Sequence, residues 1–409
     1  MIPKVTLKLT IDDNGLVYNG YMGTVPYAIQ PPIGHPKVLT PRMDALVARG
    51  ALFYWGQSGA PKCMDALQCD MTGKEVLDHI YAGSTNNLDL SAEWALPRVL
   101  RDVGGLKCFQ GGKYWEGDVL GGGGYTDQFD AGATADYFGR VTVQPLLDFL
   151  TREVTAGRPC FANAAPRIPH YPFPPQEFPG FAECRALYDT MDWSTEWLAG
   201  WENEAWAHNW YGMVSWIDAV YGQIEDHLAA LGVLDETLIL MWSDNGFALP
   251  KSKDNDTLYG RGTPVVVSFP AAFGPFVSDK LVSCIDFYPT ILDYHEMISP
   301  APPLIDGLSM RALLESGGTA PWRLWKPGQW NKSGAPHVLA PDLLRADGTR
   351  TMGAFYTDQY LTPKRAYDLE LDPGEKTNIL ATAPGQAFSA KYRPLLTAWR
   401  NDRMPPEVG

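Results

Sequence analysis

Residues 5–13 of the chain read VTLKLTIDD, and residues 238–246 read LILMWSDNG. Each stretch is a short apolar or β-branched run, which predicts a strand, and each ends in acidic or amide side chains. Ligands of parallel α/β sheets bind just beyond the carboxyl ends of the strands. If these two strands are neighbours in one sheet, the oxygen-bearing side chains at their ends converge: Asp12, Asp13, Asp244 and Asn245. Carboxylates that close repel one another and a hard divalent cation relieves the repulsion, so the two stretches predict an oxygen-lined metal site.

Each acidic cluster, taken alone, has a simpler interpretation. Residues 12–15 read DDNG and residues 244–246 read DNG. Asp and Asn followed by Gly are strong turn signals in any protein. A single cluster is therefore more typical of a turn than of a metal site, and the choice depends on what the rest of the chain brings to the same place.

The wider pattern predicts an α/β protein with a mostly parallel sheet flanked by helices. A further buried strand is predicted over residues 264–269 (PVVVSF). Amphipathic or capped segments predict helices over residues 40–50, 92–104, 210–231 and 284–297. Alternation of helices with apolar strands is typical of parallel sheets that are covered on both faces.

A change of composition near residue 300 predicts a second, smaller domain. Beyond it the chain is rich in Pro and Gly, with short strand-like pieces such as residues 354–361 and a final helix over residues 386–400. We therefore divide the chain into an α/β domain over residues 1–300, which carries the acidic clusters, and a smaller C-terminal α+β subdomain over residues 301–409.

The charge balance and the cysteines exclude several classes of protein. Lys and Arg number 33 against 47 Asp and Glu, a net charge of −14, which argues against nucleic acid and membrane surfaces as partners. Six cysteines are too few for a disulfide scaffold and show no CxxC spacing. The N-terminal residues lack the apolar segment of a signal peptide, so we expect a cytoplasmic protein as written, or a periplasmic or secreted one if a leader was removed.

Motifs along nearly the whole chain resemble one family. They are IDDNG (11–15), TPRMDALVARGALF (40–53), LPRVLRDVGGLKCFQGGKYWEG (96–117), PHYP (169–172), IDAVYGQIEDHLAALGVLDETLILMWSDNG (217–246), IDFYPTILD (285–293), DGLSM (306–310) and YDLELDPGEKTNIL (367–380). In this order and spacing the chain resembles a sulfatase of the alkaline phosphatase superfamily. The resemblance implies an alkaline-phosphatase-like sheet and one calcium ion held by Asp12, Asp13, Asp244 and Asn245. Related phosphatases carry His at the Asn245 position and bind two softer ions, so Asn245 favours calcium and sulfate esters.

The resemblance places the nucleophile at Cys63. In the family this residue is formylglycine, which is made from the cysteine of a C-x-P-x-R motif. Here residues 63–67 read CMDAL, with Asp65 in place of the proline and Leu67 in place of the arginine. The sequence therefore leaves two forms open, formylglycine and an unmodified Cys63 whose thiolate would attack.

Three further site residues are carried over from the family motifs. Lys113, in GKYWEG, would contact the sulfate, although Trp115 stands where the family has a histidine. His170, in PHYP, matches a general acid, and Lys253 matches a sulfate-binding lysine, with Lys251 as a close competitor. Arg167 and Arg261 are candidates for the positive charge that Leu67 cannot supply.

These residues predict a calcium-dependent hydrolase of sulfate monoesters, acting on a small-molecule or saccharide sulfate ester. A phosphate or phosphonate ester hydrolase on the same site is the second hypothesis. The third is a binding protein that kept the sulfatase fold and lost turnover, which the CMDAL motif and Trp115 favour.

Overall fold

The computed structural model describes most of the chain, namely residues 1–15, 38–76, 95–114, 120, 123–129, 142–170, 180–191, 204–247, 252–297, 305–328, 336–372 and 374–403. The strands within these residues are β1 Val5–Ile11, β2 Ala51–Phe53, β3 Lys107–Gly112, β4 Asp127–Phe129, β5 Cys160–Ala165, β6 Thr237–Ser243, β7 Val265–Ser268, β8 Phe276–Ser278, β9 Lys326–Gly328, β10 His337–Leu344, β11 Arg350–Thr357 and β12 Pro363–Asp368.

The helices alternate with these strands along the chain. They are α1 Pro41–Ala48, α2 Cys63–Thr72, α3 Leu96–Asp102, α4 Gln144–Thr155, α5 Phe181–Ala186, α6 Glu204–Ala230, α7 Leu258–Arg261, α8 Phe287–Tyr294, α9 Arg311–Glu315 and α10 Ala383–Arg403, with short 3₁₀ turns at Leu234–Glu236 and Cys284–Asp286. Among the described helices, none combines the length and the apolar character that a membrane crossing requires.

An eight-stranded sheet in the order β4-β3-β5-β1-β6-β7-β2-β8 forms the larger part of the fold. β1 lies inside it and pairs in parallel with β5 and β6, whereas β7 runs antiparallel to both of its neighbours. The predicted α/β fold with a mostly parallel sheet is therefore confirmed. Ile11 is aligned with Ser243, so the chain leaves β1 and β6 at the same edge of the sheet, with Asp12 beside Asp244.

Apolar side chains cover both faces of this sheet. One core contains Val5, Leu7, Leu9 and Ile11 of β1 together with residues of α1, α4 and α6. The other contains Leu238, Leu240 and Trp242 of β6 together with residues of α2, α3 and α8. The central strands are thus buried on both sides, as helices on the two faces of a parallel sheet require.

The second face of β1 is polar although it is buried. Thr6, Lys8 and Thr10 alternate with the apolar residues of the strand, and all are at most 3% exposed. Lys8 forms an ion pair with Asp70 of α2, and Thr6 Oγ1 lies 2.9 Å from His295 Nε2. Such side chains are retained in a core only when partners replace the lost water.

The C-terminal part forms a four-stranded antiparallel sheet in the order β12-β11-β10-β9. Phe388, Tyr392 and Leu396 of α10 pack on it, so the helix predicted over residues 386–400 is present and slightly longer. The predicted boundary at residue 300 lies outside the described residues and stays a prediction.

Most of the predicted elements differ from the structure by a few residues in their bounds, and two of them illustrate this. The strand predicted over residues 354–361 is β11, which ends at Thr357 because Asp358 Oδ1 accepts the amide hydrogens of Tyr360 and Thr362 at 2.9 Å and forms a turn. The helix predicted from residue 210 begins at Glu204 and contains Trp206, Trp210 and Trp216.

The buried Lys8–Asp70 pair gives a test of how β1 and α2 are held together. Asp70→Leu leaves the Lys8 ammonium buried without its partner, and we expect the free energy of unfolding to fall by roughly 3–5 kcal/mol. Replacing both residues, as Lys8→Met with Asp70→Leu, should recover most of this loss because no uncompensated charge remains. Urea unfolding followed by circular dichroism measures both.

A surface pair provides the control for this experiment. Arg42 and Asp226 form an exposed ion pair at 2.8 Å, so Asp226→Leu should change the free energy of unfolding by less than about 1 kcal/mol. A double variant as unstable as Asp70→Leu alone would show that the charge of Lys8 is not the cause of the loss.

Candidate active site

The four predicted metal ligands lie together at the carboxyl ends of β1 and β6. Asp12, Asp13, Asp244 and Asn245 are each at most 3% exposed. The Asp13 amide donates to Asp244 Oδ1 at 2.9 Å, and Asn245 Nδ2 donates to Asp13 Oδ1 at 2.6 Å. Asp13 has a φ of 64°, a left-handed conformation that Asp tolerates better than most residues. This turn brings the ends of the two strands into direct contact.

Ser243, which the sequence analysis did not single out, holds the two turns in register. Its hydroxyl oxygen accepts the amide hydrogens of Asn14 and Gly15 at 2.9 and 3.3 Å and donates to the Asn245 carbonyl at 3.0 Å. Its own amide donates to Thr263 Oγ1 at 2.6 Å. In the sequence, the feature that could have indicated this role is the position of Ser243 immediately before the DNG cluster, at the end of an apolar run.

Two lysines approach the carboxylates of this site. Lys113 Nζ forms an ion pair with Asp12 and lies 3.2 Å from Asp244 Oδ2. Lys253 Nζ lies 2.7 and 2.8 Å from the two carboxylate oxygens of Asp13. Lys113 and Lys253 lie more than a hundred residues apart in sequence, and both contact the carboxylates that were predicted as metal ligands.

Both ammonium groups are held in their charged form. Burial by itself lowers the pKa of Lys113, but the facing carboxylates of Asp12 and Asp244 outweigh it and raise the pKa well above its ordinary value. The pKa of Lys253 is raised in the same way, mainly by Asp13. Burial also raises the pKa of Asp244, against the opposing effect of Lys113.

His170 follows β5 and reaches the same cluster. Its Nε2 atom lies 3.1 Å from Lys253 Nζ and 3.5 Å from Asp13 Oδ2, and its side chain is 36% exposed. It is thus the most accessible of the predicted site residues that the structure describes. A group so placed can exchange a proton with a ligand that enters from solvent.

Cys63 is the first residue of α2 and lies beside the carboxylates. Its Sγ atom is 3.6 Å from Asp13 Oδ1 and 3.9 Å from Asp12 Oδ1. Burial raises the pKa of the Cys63 thiol well above its usual range; Asp244 raises it further and Lys113 lowers it in part. Since the thiolate is the nucleophile, an unmodified Cys63 needs additional positive charge to react.

The donor atoms of the cluster fit a divalent cation. Asp12, Asp13, Cys63 and His170 each offer one donor atom, and these atoms lie within 4.8 Å of one another. Asn245 Oδ1 is buried and has no hydrogen-bond partner among the described residues. Carboxylate and amide oxygens are the ligands of hard cations, and a buried oxygen without a partner is a position where such a cation compensates.

No residue described in the structure is shown to supply the positive charge of the family arginine. Leu67 is 4% exposed and packs in the core beneath α2. Arg261 is 2% exposed and donates to Asp256 Oδ1 at 2.9 Å and to the Gly59 carbonyl at 2.6 Å, so its charge is paired with Asp256. Trp115 and Lys251 lie outside the described residues, and Arg167 is partly buried.

The mostly parallel eight-stranded sheet, the acidic cluster at the ends of its strands and the smaller antiparallel sheet agree with a sulfatase-like fold. The family model named Sulfatase matches residues 32–297. The chain belongs to the sulfatase family.

Curated relatives match the chain over shorter segments. An N-acetylglucosamine-6-O-sulfatase of Bacteroides thetaiotaomicron is 28% identical over 216 residues, which are 50% of this chain and 37% of the relative. Arylsulfatase K of Rattus norvegicus is 28% identical over 189 residues, 44% of this chain and 33% of the relative. The chain thus spans about a third of the length of these two curated relatives.

Solved structures match the whole fold at low sequence identity. A phosphonate monoester hydrolase of Agrobacterium radiobacter has a TM-score of 0.68 at 20% identity and covers 98% of this chain and 96% of its own. A protein in complex with its substrate D-glucosamine-2-N,6-O-disulfate has a TM-score of 0.70 at 17% identity, with 98% of both chains covered. At these identities the likeness establishes the fold.

The Lys253–Asp13 pair allows the cation site to be tested without an assay of activity. Lys253→Met leaves the buried Asp13 carboxylate without its ammonium partner, and we expect the free energy of unfolding without divalent cation to fall by about 3 kcal/mol. A cation that replaces the ammonium should restore most of it, by about 2.7 kcal/mol at a hundredfold excess over its Kd. Urea unfolding with and without calcium measures the difference.

Lys4→Met is the matched control, because Lys4 forms an exposed pair with Glu236 at the opposite edge of the sheet. The free energy of unfolding of Lys4→Met should differ from that of the unmodified protein by less than about 1 kcal/mol, and this difference should be the same with and without calcium. If calcium stabilised neither Lys253→Met nor the unmodified protein, the cation site would be contradicted.

Proposed function

We propose that the protein hydrolyses sulfate monoesters, with one divalent cation and a nucleophile at residue 63. The observation that carries the proposal is the meeting of Lys113, Lys253, His170 and Cys63 around the carboxylates of Asp12 and Asp13. Ammonium groups that converge at one point suit an anionic sulfate group, because they stabilise the negative charge on its oxygens during transfer. Membership of the sulfatase family supports sulfate as that group.

We propose calcium as the cation, held by Asp12, Asp13, Asp244 and Asn245. The hard oxygen donors and the buried Asn245 Oδ1 support this choice. A bound cation would add positive charge next to the oxygens of the ester and at residue 63. With a cation bound to the carboxylates, Lys113 and Lys253 would be available to an anionic ligand.

The remaining chemistry is assigned to the side chains of the chain. Lys113 and Lys253 bind the oxygens of the sulfate group and hold its sulfur against residue 63. As one hydroxyl of hydrated formylglycine at residue 63 loses its proton to solvent and its oxygen bonds to sulfur, the bond between sulfur and the ester oxygen breaks. His170, the most exposed of the group, gives its proton to the departing oxygen. Loss of the proton from the second hydroxyl then expels sulfate and restores the aldehyde, which water hydrates again.

The substrate class follows from the relatives. An N-acetylglucosamine-6-O-sulfatase and a protein bound to a disulfated glucosamine are both similar to this chain. We propose a saccharide or other small-molecule sulfate ester as the substrate. The phosphonate monoester hydrolase of the same fold supports a phosphonate or phosphate ester as the second candidate.

The form of residue 63 is open to direct measurement. Trypsin releases residues 63–74, which contain both Cys63 and Cys69. We expect formylglycine at residue 63, because it is the nucleophile that the resemblance to the sulfatase family implies at this position. After treatment with iodoacetamide under denaturing conditions, the converted peptide carries one alkyl group, on Cys69, and reacts with an aminooxy reagent.

Cys69 is the internal control in that peptide, since it is buried in the core and should be alkylated in either case. Two alkyl groups on protein from the native host would show that the CMDAL motif is not converted. If such protein also failed to cleave aryl sulfate, phosphate and phosphonate esters, a binding protein with the sulfatase fold would be the better account.

Calcium and Lys113 can be tested by hydrolysis of an aryl sulfate. Chelation should abolish turnover and added calcium should restore it, because the carboxylates then regain their cation. Lys113→Met should lower kcat/KM by roughly 10²-fold, the usual result of removing one stabilising donor. Lys4→Met should match the unmodified protein, and activity that survives both chelation and Lys113→Met would overturn the assignment.

A further inference from the structure

A chain of buried hydrogen bonds crosses four neighbouring strands just below the site. Trp242 Nε1 of β6 donates to Thr10 Oγ1 of β1 at 3.1 Å, and Thr10 Oγ1 donates to Asn163 Oδ1 of β5 at 3.0 Å. Asn163 Nδ2 donates to Gln110 Oε1 of β3 at 2.9 Å. Gln110 Nε2 donates to the carbonyl oxygen of Lys113 at 2.8 Å.

The members of this chain are well removed from solvent. Gln110 and Trp242 are fully buried, and Thr10 and Asn163 are 3% exposed. Every donor has an acceptor, and the direction of donation is the same from Trp242 to Lys113. A fully satisfied network in a low dielectric is rigid, because each missing member leaves a buried polar group without a partner.

Two members of this hydrogen-bond chain lie close in sequence to two groups that form an ion pair. Thr10 of β1 lies two residues before Asp12, and Gln110 of β3 lies three residues before Lys113. Lys113 Nζ pairs with Asp12. The polar chain thus joins the backbone that carries the ammonium group to the strand that carries its carboxylate.

Lys113 needs such support because it lies in a turn outside the sheet. Gly112, the last residue of β3, has a φ of 80°, and a Cβ there would lie 2.2 Å from the Ala165 carbonyl oxygen. The Lys113 amide donates to that same oxygen at 2.6 Å. With Gln110 on its carbonyl, the peptide groups on both sides of Lys113 are fixed.

We propose that Thr10, Asn163 and Gln110 are positioning residues that set Lys113 against Asp12 and thereby place its ammonium group for anion binding. This rests on the proposed function only for its effect on catalysis, since the placement of Lys113 is a property of the fold. An error of about 1 Å in such a group can cost roughly 10²-fold in rate.

Thr10→Val tests the proposal with a matched control on the same strand. Valine keeps the shape of threonine but removes the hydroxyl that links Trp242 to Asn163. Thr6→Val removes a hydroxyl on the same buried face, bonded instead to His295. We expect Thr10→Val to lower kcat/KM for an aryl sulfate by about 10- to 100-fold, whereas Thr6→Val and Thr10→Ser stay within about twofold.

A double-mutant cycle separates positioning from a general loss of structure. Gln110→Met should lower kcat/KM in the unmodified protein and have no further effect in a Lys113→Met background, because the group it positions is gone. Losses that simply multiply in the two variants would contradict the proposal, as would an equal effect of Thr6→Val and Thr10→Val.

Crystal structures of Thr10→Val and Thr6→Val decide the question even if the protein hydrolyses no sulfate ester. In Thr10→Val, Lys113 Nζ should move by roughly 1 Å or more relative to the carboxylates of Asp12 and Asp244, and in Thr6→Val it should keep its place. An unmoved Lys113 in Thr10→Val would overturn the proposal. If Lys113 is displaced in Thr10→Val but the unmodified protein hydrolyses no sulfate ester, the result counts against the proposed function and not against the positioning role.

Discussion

The site depends on the balance of charge among three carboxylates that the sheet brings together and buries. Asp12, Asp13 and Asp244 lie at the ends of two adjacent strands, and none is more than 3% exposed. Such a group is unstable without positive charge close by. Lys113 and Lys253 supply it, and a divalent cation bound to the same oxygens would supply more. Binding of a cation would therefore change both the stability of the folded protein and the availability of the two lysines to an anion.

The inner strand β1 carries most of this arrangement. Its apolar face joins one core, while Thr6, Lys8 and Thr10 on the other face each bond to a different element. Alternation of this kind is usually typical of a strand with one face in water. Here both faces are covered, and the polar face connects the strand that leads to Asp12 and Asp13 to α2 and to the loop of Lys113. Specific partners replace solvent, so the strand has one register and one set of neighbours.

Much of the fold and the candidate site could be predicted from the sequence. The ends of β1 and β6 are local features: an apolar run that stops at acidic residues identifies them without knowledge of the neighbours. The motifs around Cys63, Lys113, His170 and Lys253 named side chains that the structure does bring together. Their catalytic roles and the domain boundary stay predictions. Ser243 was missed because its role lies in accepting amides from a turn that is more than two hundred residues away.

The sequence by itself determined the strands β1, β6 and β7, the acidic ends of the first two and the resemblance to the family, because these depend on local composition and on motifs of fixed spacing. Only the tertiary structure decided which charges are paired. Asp70 with Lys8, Asp13 with Lys253, and Gln110 with Asn163 are contacts between segments whose approach no local pattern specifies. A buried polar group must find a partner, but sequence alone does not say which one, since that choice follows from strand order, register and the covering helices.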